Sequence, residues 1–495
     1  MEQTILEWYQ KNHKFIDAPC NGKGNCGRCK VQFLKEAPIA DEAERKLLTQ
    51  AEIEQGIRLA CRTKMPESED FKVIGETFEK TSSVYREAKG EASYGIAFDL
   101  GSTTLAMQLI GLTSGKEYIT VTSANHQRVY GADVISRIQA ANDGKLESLQ
   151  IMIQKDMASL LEEIVDKTGI DVAKIQKIAI AGNTTMCHLL LGYSCEGLGR
   201  APFSPVSLTM HKCKSAELLN KISKLPEKLS GLQATVIILP GISAFVGADI
   251  VAGIYACNMD KEDTPHMLID IGTNGEMVLG DINGFLVAST AAGPVFEGGA
   301  ISCGMPAVKG AVSHVDSLGL GLQVIGETKP EGFCGSGLID LVALLRRAGI
   351  IDENGTLCDA YFDQGFQLEG LEEKEKEKLI LTQADIRELQ MGKAAIRAGM
   401  ELLYKNNIPE KIYLAGGFGT AIDLRTAAEI GLFSKEAVAK VIPVGNTVLK
   451  GLQKFLTEEE GERRVQNIPQ KATEVLLAKE TTFEETYIEY MQFDY

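Results

Sequence analysis

The chain has 495 residues, 44% of them hydrophobic and 24% charged, which is an ordinary globular composition. This length exceeds what one hydrophobic core usually organises, so we expect two or three domains. The 67 acidic residues outnumber the 51 basic residues and give a formal charge of −16, which argues against non-specific nucleic-acid binding. We recognise neither a membrane-spanning apolar run nor a secretory signal, so we expect a cytoplasmic protein with no membrane partner.

Four cysteines in the first part of the chain have the spacing of metal ligands. Cys20, Cys26, Cys29 and Cys61 lie within APCNGKGNCGRCKVQFL and GIRLACRTKMP, and four thiolates suffice for one [2Fe-2S] cluster. Glycines between the first three cysteines let the backbone wrap closely and aim N–H groups at the sulfurs. The alternatives are a structural zinc site, which usually needs two close CxxC pairs, and unligated core cysteines.

These two segments resemble the cluster-binding segments of ferredoxins. The first gap has five intervening residues, as in the vertebrate-type and bacterial hydroxylase-type ferredoxins. The resemblance implies a small α+β ferredoxin-like module over residues 1–80, in which a helix over TILEWYQKNHKFI begins without the usual preceding β-hairpin. Five basic residues near the ligands indicate either a docking surface for an acidic partner or ordinary solvated charges. They are Lys23, Arg28, Lys30, Arg62 and Lys64.

Beyond this module the pattern of polar and apolar residues changes. Residues 81–93, TSSVYREAKGEAS, are polar without a hydrophobic period and are predicted to be a linker. From Tyr94 onward, β-like runs each end in a glycine-rich turn, which is typical of an α/β fold. These runs are YGIAFDLGSTT, KIAIAGNTT, VIILPG, MLIDIGTNGE and KIYLAGGFG. After Thr382, apolar residues at three- and four-residue steps predict a packed helix with Thr382 as its N-cap.

Two of the turns have the character of phosphate-binding loops. The run from Phe98 to Thr104 places the carboxylate of Asp99 at the end of a strand, directly before a turn of glycine and hydroxyl residues. The N–H groups and hydroxyls of such a turn can hold phosphate, while the carboxylate holds Mg²⁺ directly or through water. Asp270 begins a second copy, DIGTNGE, which indicates a duplicated half-domain that holds a triphosphate from two lobes.

These two loops and four further segments together resemble the ATPase superfamily of sugar kinases, heat-shock chaperone ATPases and actin. The further segments are Gly182-Asn183-Thr184-Thr185, Gly247-Ala248-Asp249, Cys334-Gly335-Ser336-Gly337 and Gly416-Gly417-Phe418-Gly419. The resemblance implies a two-lobed actin-like, RNase H-like α/β ATPase, with lobe I over residues 94–262. Lobe II, with a C-terminal extension, covers residues 263–495. The alternative for each turn alone is a tight connection that needs glycine for backbone reasons.

This resemblance also implies ATP and Mg²⁺ as cofactors. It implies Asp99 and Asp270 as catalytic residues, with Asp249 as a further candidate for positioning the attacking water. Asn183 would lie in the connection between the loops, and Gly416 in an adenosine loop. The implied nucleotide-binding residues are Gly101, Ser102, Thr103, Thr104, Asn183, Gly272, Thr273, Asn274, Gly275, Gly416, Gly417 and Gly419.

A ferredoxin-like module followed by such an ATPase resembles the reductive activators of corrinoid proteins over nearly the whole chain. The segments NHQRVYGADVISRI and LTQADIRELQMGKAAIRAG, around the loops, contribute to this resemblance. The resemblance implies ATP-dependent transfer of one low-potential electron through [2Fe-2S] to a Co(II) corrinoid, which returns to Co(I) for methyl transfer in anaerobes. The implied partners are a corrinoid protein of a methyltransferase system, a low-potential electron donor and a second copy of the chain.

Three other functions stay open at the level of sequence. The first is an ATP-dependent activator of another low-potential enzyme, although the 2-hydroxyacyl-CoA dehydratase activators lack this ferredoxin segment. The second is a small-molecule kinase with a redox module, which would phosphorylate an acceptor alcohol. The third is a plain electron carrier with regulatory ATPase lobes, in which electron transfer would be indifferent to ATP.

Overall fold

The computed structural model describes residues 3–18, 20–66, 70–74, 81–88, 90–318, 321–368, 371–372, 375, 378–405 and 407–493. The chain forms two compact units. The first unit comprises residues 1–252 and 452–466, and the second comprises residues 253–451 and 467–495. Within the described ranges, no helix combines the length and the apolar character needed to cross a membrane.

The first unit begins with a small module built on an antiparallel sheet of order β2-β1-β3. Its three helices each start at a capping box, in which Thr4, Asp41 and Thr49 exchange hydrogen bonds with a Glu three residues later. Its elements are α1 (Ile5–Lys11), β1 (Lys30–Phe33), α2 (Glu42–Leu47), α3 (Gln50–Glu54), β2 (Ile57–Leu59) and β3 (Phe71–Val73).

The next part of the chain, called the first lobe, is built on a seven-stranded sheet of order β4-β7-β6-β5-β8-β10-β9. The central strand β5 is buried along almost its whole length, as expected of a strand covered on both faces. The elements are β4 (Thr81–Val84), β5 (Tyr94–Leu100), β6 (Thr104–Gly111), β7 (Glu117–Ala124), α4 (Val134–Ala140), α5 (Leu146–Thr168), β8 (Ile175–Gly182), α6 (Thr184–Leu191), β9 (His211–Lys214), α7 (Ser215–Leu218), β10 (Thr235–Ile238) and α8 (Ala248–Ala256).

The remaining chain, called the second lobe, is built on a six-stranded sheet of order β20-β19-β11-β12-β13-β21, although residues 452–466 within it belong to the first compact unit. Two small sheets, β15-β14-β16 and β17-β18, accompany it. The elements are β11 (His266–Ile271), β12 (Gly275–Asp281), β13 (Gly284–Thr290), β14 (Ala311–Val315), β15 (Leu322–Val324), β16 (Gly332–Phe333), α9 (Gly335–Arg347), β17 (Phe366–Gln367), β18 (Ile380–Leu381), α10 (Gln383–Tyr404), β19 (Ile412–Ala415), α11 (Gly416–Ala421), α12 (Leu424–Glu429), α13 (Lys435–Val438), β20 (Val441–Gly445), α14 (Thr447–Thr457), α15 (Gly461–Gln470), β21 (Ala472–Glu474) and α16 (Phe483–Glu489).

The two large sheets repeat one topology. In the first lobe, β5, β6 and β7 form an antiparallel meander, and β8 and β10 continue the sheet in parallel on the other side of β5. In the second lobe, β11, β12 and β13 form the meander, and β19 and β20 continue it in parallel. This repetition confirms the predicted duplication and the two-lobed, actin-like fold class.

Two local predictions have clear outcomes. Helix α10 begins at Gln383, and Thr382 caps it in a capping box with Asp385, as the sequence predicts. The predicted linker over 81–93 contributes the edge strand β4, which pairs with β7 and leaves its four side chains exposed. The domain boundaries at residues 80, 94 and 262 stay predictions.

Within the first unit, the module packs directly on the first lobe. The backbone carbonyl of Gln10 accepts a hydrogen bond from the Tyr130 hydroxyl at 2.8 Å, and the Gln10 side chain donates to the Val129 carbonyl at 2.9 Å. Asp17, 5% exposed, lies between Arg128 at 3.3 Å and Arg28 at 3.5 Å. Apolar residues of the module and of the first lobe belong to one continuous core.

Asp17 is therefore expected to stabilise this packing. The substitution Asp17→Asn removes the charge between two guanidinium groups and should weaken the packing by about 1–3 kcal/mol. We expect faster amide hydrogen exchange in residues 5–11 and 126–130. Glu42→Gln, which removes an exposed i,i+4 pair with Lys46, should change exchange in neither segment. Equal protection in Asp17→Asn and the wild type would contradict the assignment.

Candidate functional site

The four predicted cluster ligands lie in the module as two pairs of sulfurs. The Cys26 thiol lies 3.2 Å from the Cys20 sulfur, and Cys61 is hydrogen-bonded to Cys29. Within the described ranges, no three or more His, Cys, Asp or Glu side chains converge on one metal position. The four thiols thus form two contacting pairs, and a [2Fe-2S] cluster needs four thiolates in all.

The loop between Cys20 and Cys29 aims backbone N–H groups at sulfur. The Cys20 sulfur accepts hydrogen bonds from the N–H groups of Gly24, Asn25 and Cys26. Gly24 has φ +73°, a left-handed backbone conformation that is strained for residues with a side chain. A Cβ at this position would also lie 3.2 Å from Arg62 Cδ. The predicted role of these glycines therefore fits the geometry of the loop.

These contacts also favour the thiolate form. The hydrogen bond from Cys26 lowers the pKa of Cys20 to about 4 against the opposing effect of burial, and it raises the pKa of Cys26. In the second pair, the hydrogen bond from Cys61 lowers the pKa of Cys29 and raises that of Cys61. Each pair thus contains one sulfur that is stabilised as thiolate, which is the form that binds iron.

The basic residues near the ligands are largely matched by carboxylates. Lys30 lies 2.6 Å from Glu52, Arg62 lies 2.8 Å from Asp41, and Arg28 lies 3.5 Å from Asp17. Their charges are balanced locally, so they support a docking surface for an acidic partner less than the sequence indicated.

The first predicted phosphate loop connects β5 to β6. Asp99 is half-buried near the end of β5, between Ala106 of β6 and Ala181 of β8. Gly101 opens a tight turn, since a Cβ there would lie 2.2 Å from the Thr104 carbonyl oxygen. Ser102 and Thr103 are half-buried, and Thr104 is exposed.

The helix starts that contain Asn183 and Asp249 adjoin in the first unit. The side chain of Asn183 caps α6 by accepting from the Met186 N–H. A Cβ on Gly247 would lie 2.5 Å from Asn183 Cα, so the start of α8 lies directly against the start of α6. Asp249 is in the first turn of α8 and helps to raise the pKa of Cys187, after the larger effect of burial.

The second predicted phosphate loop connects β11 to β12, with Asp270 one residue before the end of β11 just as Asp99 is in β5. The Gly272 N–H donates to the Asn274 carbonyl at 3.0 Å, and the Thr273 hydroxyl donates to Glu297 at 2.7 Å. Gly275 has a packing role, since a Cβ there would lie 2.1 Å from Ile396 Cδ1.

The predicted adenosine loop follows β19, which pairs in parallel with β11. Gly416 has φ +82°, and a Cβ there would lie 3.1 Å from Asp270 Oδ1, so this loop and the second phosphate loop are adjacent. The space beside Gly417 is open, whereas a Cβ on Gly419 would contact Leu414.

Burial raises the pKa of Asp270 to about 6, and the nearby charge of Glu297 raises it further. The Glu297 carboxylate also lies over Gly272, 3.7 Å from the position of a Cβ there. Two adjacent carboxylates on a glycine loop are a suitable oxygen donor set for Mg²⁺.

Sequence reasoning assigned no role to three residues that contact the loops. Asn125 and Arg137 bond the first loop, and Glu297 bonds the second. The signals in the sequence that could have pointed to them are the run NHQRVYGADVISRI, which contains Asn125 and Arg137, and the glycine-flanked GPVFEGG, which contains Glu297.

Comparisons with known proteins agree with this arrangement. A family model described as "C-terminal domain of RACo the ASKHA domain" matches residues 264–494, and one described as "RACo middle region" matches residues 94–262. A "2Fe-2S iron-sulfur cluster binding domain" model matches residues 1–66.

Individual relatives cover most of the chain. The corrinoid activation enzyme RamQ of Eubacterium limosum is 35% identical over 81% of this chain and 70% of its own length. The [Co(II) methylated amine-specific corrinoid protein] reductase of Methanosarcina barkeri is 26% identical over 80% of this chain and 76% of its own. The solved structure of a reductive activator for corrinoid, iron-sulfur protein has TM-score 0.72 and 27% identity, covering 99% of this chain and 95% of that one.

The fold and sites thus define a two-lobed ASKHA-type protein with a ferredoxin-like 2Fe-2S module. The matches to the RACo middle and C-terminal models, together with the similarity to RamQ, show that the chain belongs to the RACo family.

The cysteine pairs predict which thiols are essential. Cys29→Ser, which removes the buried member of the second pair, should abolish the visible absorbance of a reconstituted [2Fe-2S] cluster. Cys358→Ser, at an exposed cysteine outside the module, should retain it. Anaerobic reconstitution followed by absorbance and iron analysis distinguishes the two. A full cluster in Cys29→Ser would exclude Cys29 as a ligand.

The raised pKa of Asp270 predicts that the free energy of unfolding of the ligand-free protein depends on pH. Between pH of about 4 and 6 the folded state binds a proton more tightly than the unfolded state, so stability falls as pH rises. Asp270→Asn should therefore stabilise the protein at pH 7 by roughly 2–3 kcal/mol, with the difference shrinking towards pH 4.

Denaturant unfolding across pH 4–8 measures this effect. Asp359→Asn, at an exposed position in the same unit, serves as the control and should leave stability within about 0.5 kcal/mol of the wild type. Destabilisation by Asp270→Asn at pH 7 would contradict the raised pKa.

Proposed function

We propose that this protein is an ATP-dependent reductive activator of a corrinoid protein. One electron passes through the module to a Co(II) corrinoid and regenerates Co(I), while ATP is hydrolysed. The observation that carries the proposal is that the two cysteine pairs and the first phosphate loop belong to one compact unit with a shared core. The printed functions of the two curated relatives and of the solved activator support the same substrate class.

The module contributes the electron carrier. Cys20, Cys26, Cys29 and Cys61 hold a [2Fe-2S] cluster, which supplies one-electron transfer when bound. The N–H groups of residues 24–26 stabilise negative charge on the Cys20 sulfur. The core shared with the first lobe holds these ligands at a defined place on the unit.

The two loops bind Mg-ATP in this proposal. Asp99 and Asp270 place Mg²⁺ and the phosphates, and Ser102, Thr103 and Thr273 orient them with their hydroxyls and N–H groups. Asn183, Thr104, Asn274 and the loop glycines complete the phosphate contacts, and Gly416, Gly417 and Gly419 form the adenosine loop. Asp249, in the first turn of α8, remains the candidate for positioning the attacking water.

ATP is required for an energetic reason. Moving one electron to an acceptor of lower potential costs about 1.4 kcal/mol for each 59 mV. Such an uphill step needs a source of free energy. An ATPase in the same chain can supply this free energy, whereas a plain electron carrier would need no nucleotide.

A direct assay tests the function. The reconstituted protein is reduced under anaerobic conditions, mixed with a Co(II) corrinoid protein, and followed by corrinoid absorbance with and without Mg-ATP. Formation of Co(I) only with ATP is the expected result. Equal Co(I) with and without ATP would favour the electron carrier, and phosphorylation of an added alcohol would favour the kinase.

Asp99→Asn should abolish ATP turnover without affecting the cluster. We expect ATP turnover to fall at least 100-fold, on the order of 3 kcal/mol of lost transition-state stabilisation, with the cluster absorbance unchanged. ATP-dependent Co(I) formation should be lost in parallel. Turnover at the wild-type rate would remove Asp99 from the site.

A further inference from the structure

The peptide groups of the first phosphate loop are held from one side by two buried residues. The Asn125 side chain donates to the Gly101 carbonyl at 2.9 Å, and the Arg137 guanidinium donates to the Ser102 carbonyl at 2.7 Å. The backbone N–H of Asn125 donates to the Thr103 carbonyl at 2.9 Å. Three consecutive carbonyls of the loop are thus bonded by the segment 125–137.

This arrangement fixes the direction of the N–H groups. The peptide bonds of the loop are trans, so the carbonyl of one residue and the N–H of the next point in opposite directions. With the Gly101 and Ser102 carbonyls bonded to Asn125 and Arg137, the N–H groups of Ser102 and Thr103 point away from those two residues. Oriented N–H groups of this kind are anion ligands.

Arg137 has a feature that ordinary packing does not explain. Its side chain is completely buried, and no carboxylate within the described residues lies within 4 Å of it. It bonds instead to the carbonyls of Gly131, Ser102 and Ala132 and to the Met186 sulfur. A buried guanidinium remains charged and is costly unless compensated, and the negative charges that act on Arg137, those of Asp133 and Asp156, lie beyond ion-pair distance.

From these contacts we infer that Asn125 and Arg137 are positioning residues for the triphosphate of ATP, acting through the peptide groups of the first phosphate loop. Phosphate on the opposite side of the loop adds negative charge to that of Asp133 and Asp156, which act on Arg137 without forming an ion pair with it. The inference rests on the proposed function, because it assumes that the loop binds ATP, and it adds two residues and a physical reason for selecting phosphate.

A matched pair of variants tests it. Asn125→Ala removes the side-chain donor to Gly101. Gln127→Ala removes an equally buried amide from the same segment, one that donates to the Leu149 carbonyl rather than to the loop. Equilibrium dissociation constants are measured for ATP and for adenosine in the reconstituted full-length protein, with cluster absorbance and thermal unfolding as controls of folding.

Asn125→Ala should raise the Kd for ATP about tenfold, the effect of losing one hydrogen bond to a charged assembly, with the Kd for adenosine unchanged. Gln127→Ala should change neither constant. Arg137→Met should weaken ATP binding more than Arg137→Lys, which keeps the charge but not the planar fork. The Asn125 result stands by itself if an Arg137 variant fails to fold.

Wild-type ATP affinity in Asn125→Ala would overturn the inference while leaving the proposed function intact. Equal losses in Asn125→Ala and Gln127→Ala, or equal losses for ATP and adenosine, would also overturn it, because they would indicate general loosening of the unit. Failure of the wild type to bind ATP would instead overturn the proposed function itself, and the inference with it.

Discussion

A peptide group can offer its N–H to a ligand only where its carbonyl is bonded on the opposite side or faces water, because a buried unpaired carbonyl is costly. Both candidate sites depend on this constraint. Around Cys20, the left-handed conformation of residues such as Gly24 turns successive N–H groups towards one sulfur. In the first phosphate loop, Asn125 and Arg137 bond the carbonyls and leave the N–H groups on the other side.

The duplicated lobes show how one topology can develop two different electrostatic environments. Asp99 and Asp270 occupy equivalent positions near the ends of β5 and β11. Both side chains are half-buried, but the carboxyl of Asp270 lies beside Glu297, and burial together with that neighbouring charge raises its pKa. The second loop therefore holds a carboxylate pair, while a buried arginine lies behind the first loop. The two loops are related by fold and differ in charge.

In the first unit, a single segment contacts both the cysteine-containing module and the first predicted phosphate loop. Residues 126–130 contact the module at Gln10 and Asp17, and the same segment begins at Asn125, which bonds the first phosphate loop. The module and the first lobe share one hydrophobic core, which includes Leu100 and Leu105 on either side of the loop, so neither packs as an independent body. Tight packing of this kind transmits small displacements because a packed interior has little free space.

The sequence by itself determined the local features: the cysteine spacing, the two Asp-Gly loops, and the helix capped by Thr382. Apart from Cys61, which lies 32 positions after Cys29, each depends on residues that are close in the chain, so spacing and residue type suffice to predict it. Only the tertiary structure decided which distant side chains support those features. Glu52 and Asp41 balance the basic residues of the module, β4 joins the edge of a sheet, and Asn125, Arg137 and Glu297 bond the loops. A buried carbonyl or hydroxyl accepts a partner from any part of the chain that the fold brings near, and no sequence spacing specifies that partner.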